Sequence, residues 1–571
     1  MAFPLRLNAA DKQVLRGQLD GTLESLRTCR VSWWAHWARI AEVTLPRRYR
    51  WFVTPNQYNR GAQMNQAIID ETAVVAARKC ASGLLAGMTS PTHPWFRLGL
   101  HDQPDLASGP VKNWLAECSR RVLMVMSQSN FYTILGTFYH DLVVFNTAVM
   151  IIYEDDEQVF RGQSLYLGEF FLASSDRFTV DKLYREFTLT LEQCVQQFGL
   201  ENLPETYQFQ YKAGGPQRQT ELIVRHCIEP NTDLWADATR PLGKVVPAVF
   251  PWRELYWLAA QSDSAIIKAT GFKSKPFMAG RWQTTGNDAY GSDGPGMLAL
   301  PATLQLQVQQ RRKGEAIDKL VRPPMIASVN MRNEPASILP GALTYVTDIG
   351  PNSGFRPAFQ VDPHLQEMTM DIAEVQKRIE SIYFVDLFMM ISQLDTVRTA
   401  TEIDARREEK LIQLGPVIER FENEVLDPII NRIFDIMFRR GLFPPAPPEL
   451  GGEAVVPQYI SMLAEAQRAA ATAAIERVLQ VAGNLAGVDP TIMDNLDLDL
   501  TISRYADYLQ VDPELIRPIA EVMQIRQARA QQQAQQEQMQ QAAAAVQGAQ
   551  TLSQTEVGGG QNALQKLLGA A

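Results

Sequence analysis

The stretch ASGLLAGMTSPTHPWFRLGL (81–100) opens as a run of small and apolar residues and stops at Thr89-Ser90-Pro91. A second proline follows, then the aromatic pair Trp95-Phe96. Small residues also precede it at Ala73, Ala76 and Ala77, and Ala81, Ser82 and Gly83 continue them. Side chains of this size let another backbone come close, so a helix over about 64–87 is expected, packed tightly on its neighbours. Gly87 is its expected stop, and Pro91 forbids resumption. The bend then has a mechanical reading. It locks a helix end against the core, with Trp95 and Phe96 as anchors.

Outward from the bend, the apolar periodicity changes several times. Leu15, Leu19, Leu23, Leu26, Trp33, Trp37 and Ile40 recur at steps of three and four, which predicts a helix over 10–43. A further helix is expected over 110–128. Between 138 and 230 the alternation suggests strands in VFRGQSLYLGEFFLAS, RFTVDKLYREFTL and TYQFQYKAGGPQRQTELIVRHCI, with Gly214-Gly215-Pro216 read as a hairpin signal. The apolar run 142–153 is a buried strand or helix, too short to span a bilayer. Residues 244–258 add a strand-like piece. Helical patterning returns over 302–320 and stops at Arg322-Pro323-Pro324. Across 363–391, Leu365, Met368, Ile372, Val375, Ile379 and Ile382 follow heptad spacing. A long charged helix is expected over 402–440, kinked at Pro416 and Pro428 and closed by Gly441. Short helices are expected over 455–525, with starts at Asp489-Pro490 and Asp512-Pro513. The tail 526–550 is rich in Gln and Ala and has high helix propensity.

Composition bounds the function. The chain has 571 residues, 46% hydrophobic and 20% charged, which allows a large core in roughly three to five structural units. A formal net charge of −9 argues against a protein that wraps nucleic acid with a basic surface. The five cysteines (Cys29, Cys80, Cys118, Cys194 and Cys227) form no CxxC pair, so a disulfide framework or zinc knuckle is not expected. The N-terminus lacks the apolar core of a signal peptide.

Motifs for chemistry are absent. There is no GxxxxGK[ST], no HExxH and no GxSxG. GSDGPG (291–296) is glycine-rich but lacks the lysine of a phosphate cradle. The six histidines are scattered, and carboxylate pairs such as Asp155-Asp156 and Glu408-Glu409 sit in charged runs. His93 reads as a turn residue. RRYRWF (47–52) and RWQTTGNDAYG are candidates to stack bases, but aromatic anchoring of an interface is the favoured reading.

Three segments in order resemble one family, the portal proteins or head-to-tail connectors of short-tailed bacteriophages. They are ASGLLAGMTSPTHPWFRL, then YGSDGPGMLALPATLQLQ (290–307), then RTATEIDARREEKLIQLGPVIERFENEVLDPIINRIFDIM (398–437). The resemblance spans most of 70–440. It implies a predominantly helical α+β portal fold and a ring of about twelve copies closed by one heterologous interface. It also implies a place at one capsid vertex of the virion, after assembly in the host cytoplasm. The layout would be a wing (1–300), stem helices (301–322 and 363–391) and a clip between them (323–362). A tunnel loop (392–400) would follow, then a long wing/crown helix (401–448), a crown (449–525) and a possible C-terminal helical barrel (526–571).

The partners implied are double-stranded DNA in the channel, major capsid and scaffolding proteins, terminase, and tail adaptor or nozzle proteins. Neither a cofactor nor a membrane is implied. Expected DNA-proximal residues are Arg311, Arg312, Lys313, Gln393, Thr396 and Arg398. Expected interface or structural anchors are Trp95, Phe96, Tyr290, Leu365, Met368, Ile372, Val375 and Ile379. The heptad seam of 363–391 needs a cover, either a neighbouring subunit or an intrachain helix. Acidity suits a conduit, because a ring with net charge on the order of −100 attracts DNA little. Two alternatives compete: a metal-dependent nuclease or other hydrolase using the acidic clusters, and a scaffold or filament protein using the Gln-rich tail.

Overall fold

A computed structural model describes residues 2–3, 9–53, 61, 63–100, 109–231, 249–260, 266–326, 332, 356–357, 365–392, 414–450, 455–459, 475–485, 496–509 and 519–554. They form an α+β fold richer in helix than in strand, and the chain divides into two compact units. The strands in chain order are β1 (Ala2–Phe3), β2 (Phe96–Leu100), β3 (Thr147–Asp155), β4 (Val159–Leu165), β5 (Phe170–Ser174), β6 (Val180–Thr190), β7 (Glu221–Pro230), β8 (Trp252–Leu258), β9 (Lys268–Phe272), β10 (Phe277–Arg281), β11 (Met325–Ile326), β12 (Arg356–Pro357) and β13 (Val455–Tyr459). In the first unit the order β1-β9-β8-β7-β6-β5 makes an antiparallel six-stranded sheet, and β10-β3-β4 makes a second, three-stranded one.

Alternation along the strands gives the large sheet two apolar faces. The helix α1 (Ala9–Thr44) covers one of them. Its Leu15, Leu19 and Leu23 pack with Tyr184, Cys227, Leu255 and Trp257, as the stripe predicted. The opposite face, with Leu222, Val224, Tyr256 and Leu258, meets Leu191, Cys194 and Phe198 from just beyond β6. The two sheets are joined through Glu254 of β8, which is fully buried. It accepts hydrogen bonds from Tyr153 of β3 (3.2 Å), Tyr256 (2.9 Å) and Thr270, and pairs with His226 Nε2 at 2.9 Å. Burial alone would raise this carboxyl, but the bonds from His226, Thr270 and Tyr256 outweigh it and hold it down at about 2.

After α1, the helices are α2 (Pro46–Val53), α3 (Thr72–Met88), α4 (Gly109–Gln128), α5 (Phe131–Phe145), α6 (Leu191–Phe198), α7 (Glu205–Ala213), α8 (Pro295–Val321), α9 (Leu365–Ile382), α10 (Val385–Ser392) and α11 (414–439). The run 142–153 is both things expected of it. It ends α5, turns at Asn146 in the left-handed region (φ 61°), and begins β3.

Two expectations need correction. TYQFQYK is the helix α7, and Gly215–Gln219 is a 3₁₀ turn, where strands and a hairpin were read. The alternation of Tyr207, Phe209 and Tyr211 misleads. Tyr207 and Tyr211, one helical turn apart, pack on the core, while Phe209 stays 76% exposed. The helix of 363–391 is broken at Phe384 (φ 54°), because α10 drops against α3. There Phe388 fills the notch at Gly83, where a Cβ would lie 2.2 Å from its ring. The expected helix over 402–440 is described from 414, its earlier part lying outside the described residues, and it holds a π turn over Glu422–Leu426, two residues before Pro428, whose missing N–H and ring a regular turn tolerates poorly. Gly441 (φ 67°) ends the helix region as expected.

The second unit holds the start of α4 and three helices, α12 (475–485), α13 (Leu498–Leu509) and α14 (Ile519–Gln554). Within it Arg526 makes a two-point ion pair with Asp499, and Tyr505 donates to Glu476. The expected starts at Asp489-Pro490 and Asp512-Pro513 lie outside the described residues.

Candidate functional site

Three sequence features that suggested a role converge on the first unit. The bend comes first. Thr89 N–H donates to Leu85 O at 3.1 Å and closes α3, and its hydroxyl hydrogen-bonds Tyr139 at 3.2 Å. Ser90 Oγ accepts from Thr92 N–H, which tightens the turn, and His93 is exposed on it. Trp95 and Phe96 are 2% and 1% exposed, with rings edge-on at 4.7 Å. Trp95 Nε1 donates to Tyr132 Oη at 3.2 Å, and its ring stacks on Tyr459. Both aromatics are therefore anchors inside the chain.

The glycine-rich segment 290–296 is a second joint. Tyr290 is buried between Trp33 and Trp37 and accepts from Leu172 N–H at 3.1 Å. Gly291 N–H donates to Thr147 Oγ1 at 2.8 Å. A Cβ on Gly291 would lie 2.0 Å from Asn146 O, and one on Gly296 1.9 Å from Val144 O. These glycines let the segment lie flat on the α5–β3 junction, and α8 starts from there. Glycine here answers to close packing.

The third feature is the pair α8–α9. Ile372, Val375 and Ile379 are buried, and Leu365 and Met368 are half-buried. α8 and α3 pack against α9, so this part of the heptad seam is covered from within the chain. The antiparallel register shows in two bonds: Gln309 donates to Asp371 and Arg378 donates to Gln305 at 2.8 Å. Asp70 ties the pair to α3. One carboxylate oxygen accepts from Thr72 N–H, and the other from Gln310 and Gln376, both at 2.8 Å. Gln307 holds the backbone on either side of that carboxylate, accepting from Ile69 and Asp70 N–H and donating to Asp70 O. Burial would raise the Asp70 carboxyl, but hydrogen bonds from Thr72, Gln310 and Gln376 lower it overall. Asp70→Ala is expected to lower stability by about 1–2 kcal/mol, given its partial exposure, and to loosen α8 from α9. Hydrogen exchange at the α8 amides checks this; unchanged protection would refute it. The helix expected from about 64 starts only at Thr72, and Asp70 lies before it. Its place just before Thr72 was the available signal, since such residues satisfy the free N–H groups of a helix start.

Other fixings carried no sequence signal. Arg281 of β10, almost fully buried, makes a two-point pair with Glu424 of the π turn. Arg432 of α11 donates to Ile152 O and Ser274 O, both at 2.9 Å. These bonds seat α11 on the three-stranded sheet.

Of the expected DNA-proximal residues, Arg311 and Arg312 are exposed on α8 and Lys313 is half-buried. Gln393, Thr396 and Arg398 lie outside the described residues, as does most of the expected clip. Among the described residues no three His, Cys, Asp or Glu side chains group as a metal site, and no helix is long and apolar enough to cross a membrane.

The sequence has named relatives. A family profile described as bacteriophage head to tail connecting protein matches residues 16–516. The portal protein of Salmonella phage epsilon15 is 37% identical over 535 residues, 94% of each chain. A probable portal protein of Bordetella phage BPP-1 is 39% identical over 507 residues, 88% of this chain and 89% of its own. Likeness over this share of the sequence covers the bend, the glycine joint and the helix pair together, and the chain belongs to the bacteriophage head to tail connecting protein family.

Proposed function

We propose that identical copies of this chain close into a ring of about twelve at one vertex of a phage head, and that the genome enters and leaves through its axial channel. The observation that carries this reading is the end-to-end likeness to a portal protein, 94% of each chain. The role is structural: a virion component that conducts DNA and has no turnover of its own.

The pair α8–α9 supports the layout that the resemblance implies. Its helices act as the stem (301–322 and 363–391), and the residues between them (323–362) form the clip, on which terminase and then tail adaptor or nozzle proteins dock. Residues 1–300 are the wing, 392–400 the tunnel loop, 401–448 the long helix that returns beside the wing, and 449–525 the crown. The Ala/Gln-rich helix α14 lies mostly within 526–571 and supports a C-terminal barrel. Capsid and scaffolding proteins surround the ring during assembly in the host cytoplasm. A stem suits a pair of helices locked together at Asp70, because a conduit must keep its bore while DNA moves.

Electron microscopy of the purified full chain, viewed end-on, tests the reading. Closed rings with an axial hole are expected. Open filaments, or monomers under every assembly condition, would overturn it.

A further inference from the structure

The outer faces of α8 and α9 are both mixed in charge, and Arg312 of α8 lies between the levels of Glu367 and Glu374 of α9. On α8, Gln305, Val308, Arg312, Glu315 and Lys319 recur at steps of three and four, and all are exposed. On α9, Glu367, Met370, Glu374, Lys377 and Ser381 do the same. Val308 is 50% exposed and Met370 73%, large values for apolar side chains in the middle of helices whose other faces are buried. The bonds Gln309–Asp371 and Arg378–Gln305 set Arg312 level with residues 368–371. Glu367 and Glu374 then stand on either side of that level, about 4 Å and about 7 Å along the helix from its middle.

A rotation about an axis leaves every atom at its own height along that axis. In a ring whose helix pairs run along the axis, one copy therefore meets the next with matching levels. The contact is heterologous, one face against a different face. We propose that the Arg312 row of α8 docks on the Glu367–Glu374 row of α9 in the next copy of this chain. Val308 and Met370 would be covered at the centre, with the arginine between the two carboxylates. Arg312 against Glu367 and Glu374 gives two favourable pairs, which outnumber the one like-charged pair at this level, Glu315 against Glu367. This inference rests on the portal reading. It gives Arg312 a partner in the neighbouring subunit where the sequence suggested DNA, while Arg311 and Lys313 lie off the row.

The test is a charge exchange in the full chain. Arg312→Glu, and separately Glu367→Lys with Glu374→Lys, should each raise the concentration needed for half-assembly at least about tenfold by sedimentation velocity. Thermal unfolding of the subunit should be unchanged, because all three sites are exposed. Combining the three substitutions should restore rings, and added salt should weaken wild-type assembly. Unchanged assembly of Arg312→Glu would overturn the proposal, as would a combined variant no better than its parents. If the wild-type chain forms no rings at all, the portal reading itself fails.

Discussion

Gly296→Ala is expected to destabilise the subunit by about 3 kcal/mol, although it places a better helix former in a helix. Ala is favoured over Gly by about 1 kcal/mol at an unhindered helical position. Here the new Cβ would lie 1.9 Å from Val144 O and 2.8 Å from Val144 Cα. These are backbone atoms of α5, which is packed on both sheet and helix, so neither partner yields by a rotamer change. Gly314→Ala, farther along α8, provides the control, because nothing lies within 4 Å of a Cβ there. It should be neutral or stabilising. Urea unfolding of the unassembled subunit compares the two. Equal effects of the same sign would show that the glycine joint does not set where α8 begins.

Trp95→Ala is expected to cost about 3–5 kcal/mol, the range for emptying a fully buried aromatic site. It removes the edge-on contact with Phe96, the bond to Tyr132 and the stack on Tyr459. The end of α3 would lose its fixing, and α3 carries both the Gly83 notch and the Asp70 contact at its start. Soluble monomers or misassembled rings should result. Trp95→Phe, which keeps most of the apolar volume and loses the indole N–H, should assemble. Thermal unfolding and end-on micrographs together decide the matter; rings of normal form and stability from the alanine variant would refute it.

Much of the helical framework was legible because it rests on local rules. The stripe of Leu15, Leu19 and Leu23 predicted α1, and the heptad positions Ile372, Val375 and Ile379 are the buried ones of α9. The proline bend ended a helix within a residue or two of the expected place. The misreadings share a cause. At 205–213 the period of two and the period of four were both present, and only contact with the core selects between them. At Phe384 the helix breaks for a notch 301 residues earlier in the chain, at Gly83.

By itself the sequence determined that this is a large acidic α+β chain, that its helices lie near these positions, and that it resembles portals. Those properties follow from periodicity, turn chemistry and composition, which act over a few residues or over the whole chain. Tertiary structure decided that Trp95 and Tyr290 point inward, that Gly291 and Gly296 serve close packing, and that Asp70 clamps α8 and α9. Each of these depends on atoms brought together from positions far apart in the chain, and local patterns carry no information about such distances.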